Sequence, residues 1–200
     1  MTSSTDNADN TGDTGDAITD VARRYRRLAA DVTGKIERVP ADRWSNQSPC
    51  EDWTARDVVR HLVDVHGMFF GLVGRTLEPG WEGVDTDPLR AWVSARDQMQ
   101  RNLDDPRLAG EEFEGLTGRS TFAAAVDRFI CFDLNIHGWD LARATGLEER
   151  IDPAELPRLW ATAESFGDAI RSEQVCGPAV DPPADVDEQG RLLAYLGRRP

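Results

Sequence analysis

The feature that most constrains this chain is apolar residues returning every three or four positions along five separate stretches, the period of a helix burying one face. Ile18, Val21, Tyr25, Leu28, Val32 and Ile36 make the first stretch, predicting a helix from about Ala17 to Arg38 that stops before Pro40. The second carries Val58, Val59, Leu62, Val63, Met68, Phe69, Leu72 and Val73 up to Gly74. Its start is marked by Thr54, whose hydroxyl suits the N-cap, with Asp57 three residues on to complete a capping box and Trp53 placed to staple onto Val58. A loop with Pro79, Gly80 and Gly83 follows, and then Asp87 and Pro88 open a third helix. Leu89, Trp92, Val93, Met99 and Leu103 are its apolar stripe, which stops before Pro106.

Residues Arg107 to Arg119 lack a stable period and read as a connection with a short strand or turn. From Ser120 or Thr121 a fourth helix is predicted to run unbroken to Thr145, with Gly146 supplying the left-handed residue beyond its last turn. At 1.5 Å per residue it is ~37 Å long, enough to line a bundle from end to end. Asp152 and Pro153 start a fifth helix with Glu155 at the capping-box position, and Leu156, Leu159, Trp160, Ala163, Phe166 and Ile170 follow its face. Gln189 to Leu196 close the chain as a short helix. The fold class expected is therefore all-α, a four-helix bundle with an added C-terminal helix and closing segment. Met1 to Asp16, with four aspartates, no basic residue and little to bury, reads as a disordered acidic tail before one domain spanning residues 17–200.

Charge narrows the function. A formal net charge of -13 repels phosphate backbones and anionic membranes, and no basic cluster offsets it locally. Nucleic acid and membrane are not expected partners. No apolar run approaches the ~20 residues that span a bilayer. The N-terminal residues do not resemble a secretory signal, so a cytoplasmic location is expected. Cys50, Cys131 and Cys176 are odd in number and widely separated, which argues against a disulfide framework. Cys131, inside an apolar run, reads as a buried small side chain, and Cys50 as the more exposed thiol, with no base assignable to it.

The three histidines are His61 and His66 in the second helix and His137 in the fourth. Asp133 and His137 are four apart, one turn along a single helix face, and Asp140 lies near that face. His61, Asp133 and His137 together form a candidate three-ligand metal site with an open position, the pattern of catalytic zinc. Acidic residues are dense enough here that the Asp133–His137 spacing equally fits an ordinary helix-surface pair. His61 equally fits a buried histidine satisfied by a backbone carbonyl. His66, roughly 140° around the helix from His61, reads as pocket lining or surface. Asp57 or Asp64 is placed to receive the second ring N–H of His61, and Asp140 that of His137.

The segments WSNQSPCEDWTARDVVRHLVDVH from Trp44 and DLNIHGWDLARATG from Asp133 resemble the DinB-like superfamily, and more narrowly the metal-binding domain of actinobacterial mycothiol-dependent maleylpyruvate isomerases. The terminal RLLAYLGRRP from Arg191 is similar to that family's ending. The resemblance implies an up-down-down-up four-helix bundle. It also implies a divalent ion, zinc or another such as Ni2+, held at His61, Asp133 and His137, where the isomerase has glutamate in place of Asp133. It further implies that the ion activates a low-molecular-weight thiol such as mycothiol for S-transfer or cis–trans isomerisation of a small electrophilic substrate. Arg198 or Arg143 would receive a carboxylate at the mouth. The isomerase carries a further C-terminal domain, whereas here about fifty residues follow the fourth helix, so a related thiol-dependent reaction is expected rather than the same isomerisation. Two other readings stay open: a metal- or small-ligand-binding protein without turnover, and a metal-dependent hydrolase. A wide apolar helix face also allows a homodimer.

Overall fold

The computed structural model describes residues 9–78, 83–115, 118–171 and 176–200. Of the expected acidic tail, Met1 to Ala8 lie outside the described residues, as do Pro79 and Gly80 of the expected loop. Helix α1 (Asp9–Arg38) begins eight residues before the expected Ala17. Propagating a helix from a formed nucleus needs no buried face. Apolar periodicity therefore marks where α1 packs, from Ala22 and Tyr25 to Ile36, and not where it starts.

The next two helices follow their caps. Helix α2 (Ala55–Leu72) starts at Thr54, whose hydroxyl accepts from the Asp57 N–H while the Asp57 carboxylate accepts from the Thr54 N–H. Helix α3 (Pro88–Asp104) has Asp87 at its N-cap, accepting from the Arg90 N–H, and Pro88 in its first turn. A one-turn helix α4 (Pro106–Ala109) and a hairpin of β1 (Glu112–Gly115) with β2 (Gly118–Thr121) fill the connection, pairing Glu112 with Thr121 and Gly115 with Gly118.

The fourth bundle helix departs from the unbroken rod that its apolar period suggests. It comprises α5 (Phe122–Ala125), capped by Thr121, a π-helical turn at Val126–Ile130, and α6 (Cys131–Thr145), closed by Gly146 at φ 70°. A π-turn inserts one residue into the helical ladder and rotates everything after it, a distortion common at functional sites. Here it sits one turn before Asp133.

Cross-helix contacts fix the directions. Between α1 and α3, Ala22 meets Gln100, Tyr25 meets the Arg96 carbonyl and Thr33 meets Trp92, so these two run antiparallel. Between α2 and the fourth helix, His61 meets His137, Phe69 meets Phe129 and Phe70 meets Phe122, again antiparallel. Arg24 reaches Asp127 while Gly138 lies against Val32, so α1 and α6 run parallel. The bundle is therefore up-down-down-up, with α2 and α3 both descending.

Helix α6 is buried on both sides, which is why its sequence is apolar nearly all round. Leu134, Leu141 and Cys131 face the bundle core. Phe132, Ile136 and Trp139 face a second layer made by α7 (Leu156–Ser165), a 3-10 turn at Gly167–Arg171 and α8 (Glu188–Tyr195). Glu155 does not complete a capping box for α7. Its carboxylate is drawn away to Arg24 and Arg27 of α1, whose charges are the stronger partners. No helix among the described residues is long and apolar enough to cross a membrane.

Candidate metal centre

The site is assembled at the start of α2 and the middle of α6. The capping box sets the first turn of α2, which carries His61 two turns in, toward α6. The preceding loop is pinned to the end of α6, because Arg43 donates to the Thr145 carbonyl at 2.6 Å and Asn46 to the Ala144 carbonyl at 2.9 Å. Trp53 leaves that loop to lie over both histidines, its ring centroid 4.9 Å from His61 and 5.7 Å from His137. An indole in that position walls the site with an apolar face rather than stapling α2 alone.

His61, Asp133 and His137 each offer one ligand atom within 4.8 Å of the others. The imidazoles of His61 and His137 meet edge to face at 4.6 Å. The Nε2 of His61 lies 3.5 Å from an Asp133 carboxylate oxygen, too far for a good hydrogen bond, and it is buried with no hydrogen-bond partner among the described residues. A buried polar atom without a partner costs about 1–3 kcal/mol. The separation is close to the edge of a tetrahedron whose ligands stand at zinc distance, about 3.3–3.4 Å. A divalent ion between these groups would satisfy the orphaned nitrogen, so the donor set fits a metal. The side chains of His61 and Asp133 remain 31% and 24% exposed, which leaves a route to the site from solvent.

His137 is held from behind. Its Nδ1 donates to Asp140 at 2.9 Å, which fixes the ring and leaves Nε2 as the free lone pair. Asp140 is fully buried and also accepts from Arg198, at 2.9 and 3.3 Å. Burial alone would raise the Asp140 carboxyl, but the Arg198 guanidinium and the bond from His137 outweigh it and hold the group ionised far below its usual range.

Cys50, His137 and Asp140 form a second group with metal-ligand spacing. This one does not suit a cation, because the Arg198 guanidinium already sits 3.5 Å from the Cys50 sulfur and 2.9 Å from Asp140. Burial, with the Asp140 carboxylate beside it, pushes the Cys50 thiol up to about 12. Burial likewise pushes Cys131 up to about 12, in keeping with its reading as a core residue, and raises Cys176.

Several sequence expectations are corrected here. His66 is neither pocket lining nor surface. It is fully buried, its Nδ1 donating to the Leu62 carbonyl at 2.6 Å and its Nε2 accepting from the Tyr25 hydroxyl at 2.9 Å. Burial pushes its pKa down to about 4, so it is a neutral core histidine. Asp57 is committed to the capping box and Asp64 is exposed, so neither supports His61. Arg198 is not at the mouth but 7% exposed, and Arg143 stacks on Trp139 and pairs with Glu149. Sequence reading missed the Arg198–Asp140 pair, since 58 residues separate the partners and a terminal arginine reads as a surface charge.

Residues 25–142, about three fifths of the chain, match the model of the mycothiol maleylpyruvate isomerase N-terminal domain family. Two similar proteins, the uncharacterised MT0763 and Rv0738 from two strains of Mycobacterium tuberculosis, are each 28% identical over 197 residues, covering 90% of this chain and 98% of their own. No solved structure gives a significant match. The matched span takes in α1 from Tyr25, all of α2 and α3, and α6 up to Ala142, and with them His61, Asp133 and His137, and the chain belongs to the mycothiol maleylpyruvate isomerase N-terminal domain family.

Proposed function

We propose that His61, Asp133 and His137 hold a divalent metal, zinc in the first instance, and that the site activates a low-molecular-weight thiol for attack on a small electrophilic substrate. The observation that carries this reading is the buried His61 Nε2, which has no hydrogen-bond partner among the described residues and faces an aspartate and a second imidazole. Bound there, the ion would supply Lewis acidity, lowering the pKa of a coordinated thiol so that it reacts as a thiolate near neutral pH. Asp133 contributes the one anionic donor, and His61 and His137 act as neutral donors rather than proton carriers. Trp53 excludes water from one side of the site. Asp140 holds His137 in the tautomer that presents Nε2.

The protein's own cysteines favour an external thiol. Cys50, the nearest, is a neutral thiol at pH 7, and Cys131 is buried in the core. The family's association with mycothiol makes that thiol the first cosubstrate to test, for S-transfer or for addition, bond rotation and elimination in a cis–trans isomerisation. Zinc-loaded protein assayed with mycothiol and a panel of electrophilic alkenes and epoxides should show thiol-dependent turnover that His61→Ala and His137→Ala abolish. Turnover indifferent to the thiol or to both substitutions would refute the reading. Tight thiol binding without turnover would support instead a ligand-binding protein. That outcome has one structural observation behind it: Asp140, the fully buried carboxylate of the site, is already engaged by Arg198 and His137 and is not free to act as a general acid.

A further inference from the structure

We propose that Arg198 is a positioning residue of the metal centre, acting through Asp140 on His137, so that docking of the C-terminal segment completes the site. This rests on the ligand assignment above and extends it to a residue far outside the matched family domain.

The contacts form one buried chain. Arg198 donates from Nε and Nη2 to the two oxygens of Asp140, at 3.3 and 2.9 Å. Asp140 accepts from His137 Nδ1 through the same oxygen that takes Nη2. Arg198 is itself fastened by its own segment, where Nη1 donates to the Leu196 carbonyl at 2.9 Å and contacts the Cys176 sulfur at 3.5 Å. Its backbone N–H donates to the Leu193 carbonyl at 2.8 Å, and Gly197 makes the turn with φ 82°. Leu192, Leu193 and Leu196 bury the same segment against the outer layer of α6. The guanidinium is therefore placed by helix packing and not by the flexibility of a long surface side chain.

The energetic logic follows from burial. A carboxylate with no solvent exposure needs a counter-charge and filled acceptor sites, or it disrupts the packing around it. Arg198 supplies both with a planar, two-pronged contact that lysine cannot reproduce. With its position fixed, the Asp140 oxygen fixes the orientation and tautomer of His137. Groups that orient a ligating histidine in this way are worth 10–100-fold in metal affinity in characterised sites. Cys50 also donates to Asp140, at 3.3 Å, so the loop before α2 converges on the same carboxylate.

The test uses the full chain with Arg198→Gln, Arg198→Lys, Asp140→Asn and the Asp140→Asn/Arg198→Gln pair. Zinc affinity is read by calorimetry on chelator-stripped protein, and the His137 tautomer by long-range nitrogen-15 NMR on the metal-free protein. The parent should show His137 protonated at Nδ1 alone. Arg198→Gln should mix the tautomers and weaken zinc binding at least tenfold, and Arg198→Lys should fall between it and the parent. In the Asp140→Asn background, adding Arg198→Gln should cost little more, because its effect runs through the missing charge. If Arg198→Gln is too unstable to purify, the Arg198→Lys comparison carries the same readings. Unchanged affinity and tautomer in both arginine variants would overturn the positioning role. If the parent itself binds no zinc, the ligand assignment falls, while the tautomer comparison still decides whether Arg198 sets His137.

Discussion

Replacing His66 with glutamine should flatten the acid arm of the stability profile while leaving the metal site intact. In the native protein burial drives the His66 pKa from 6.5 to about 4, and its hydrogen bond to the Leu62 carbonyl and the Asp133 carboxylate offset only part of that. Above pH 6.5 the imidazole is neutral in both the folded and unfolded chain. Between 6.5 and about 4 the unfolded chain binds a proton that the folded one lacks, so stability falls as pH falls across that window. A gap of about two and a half pH units is worth roughly 3 kcal/mol, a large fraction of the stability of a domain. Glutamine can donate to the Leu62 carbonyl and accept from the Tyr25 hydroxyl but does not titrate. Many carboxylates also titrate near the lower end, so the informative quantity is the difference between parent and variant. Urea unfolding at steps from pH 7 to pH 4 should show the parent losing roughly 3 kcal/mol more than His66→Gln over the range. Parallel curves would refute the reasoning and mean that His66 is reached by water and charges in place.

Two backbone predictions test how the helices that carry the site are set. Thr54→Ala removes the hydroxyl that accepts from the Asp57 N–H and should lower stability by about 1 kcal/mol in urea unfolding. Gly146→Ala places a side chain at φ 70° and against the Arg43 guanidinium, and should cost at least about 1–2 kcal/mol. Gly146→Asn should strain the backbone less than alanine does, because asparagine tolerates that conformation.

Much of this molecule could be read from local signals. Thr54 with Asp57, Asp87 with Pro88, and Gly146 each announce a helix end through chemistry confined to a few residues. The 3.6-residue period placed Asp133 and His137 on one face, and ligand chemistry, then the resemblance, joined them to His61, with which they converge in space. What stayed hidden depends on distant partners. Glu155 sits at a capping position, yet Arg24 and Arg27, more than 120 residues away, take its carboxylate. His66 reads as polar until Tyr25 and Leu62 enclose it. The π-turn at Val126–Ile130 interrupts an apolar period that carries no glycine or proline to mark it. Arg198 shows its role only once α8 is docked on α6.

The most direct measurement is zinc titration calorimetry on the chelator-stripped parent beside Asp133→Asn and Asp133→Glu. Asparagine keeps the shape and one oxygen but removes the only negative charge among the three proposed ligands, whereas glutamate restores the side-chain length found in the isomerase. The parent should bind one zinc per chain, Asp133→Asn should bind at least tenfold more weakly, about 1.4 kcal/mol, and Asp133→Glu should bind as tightly or more so. Equal affinities across the three proteins, or no specific binding to the parent, would contradict the metal centre.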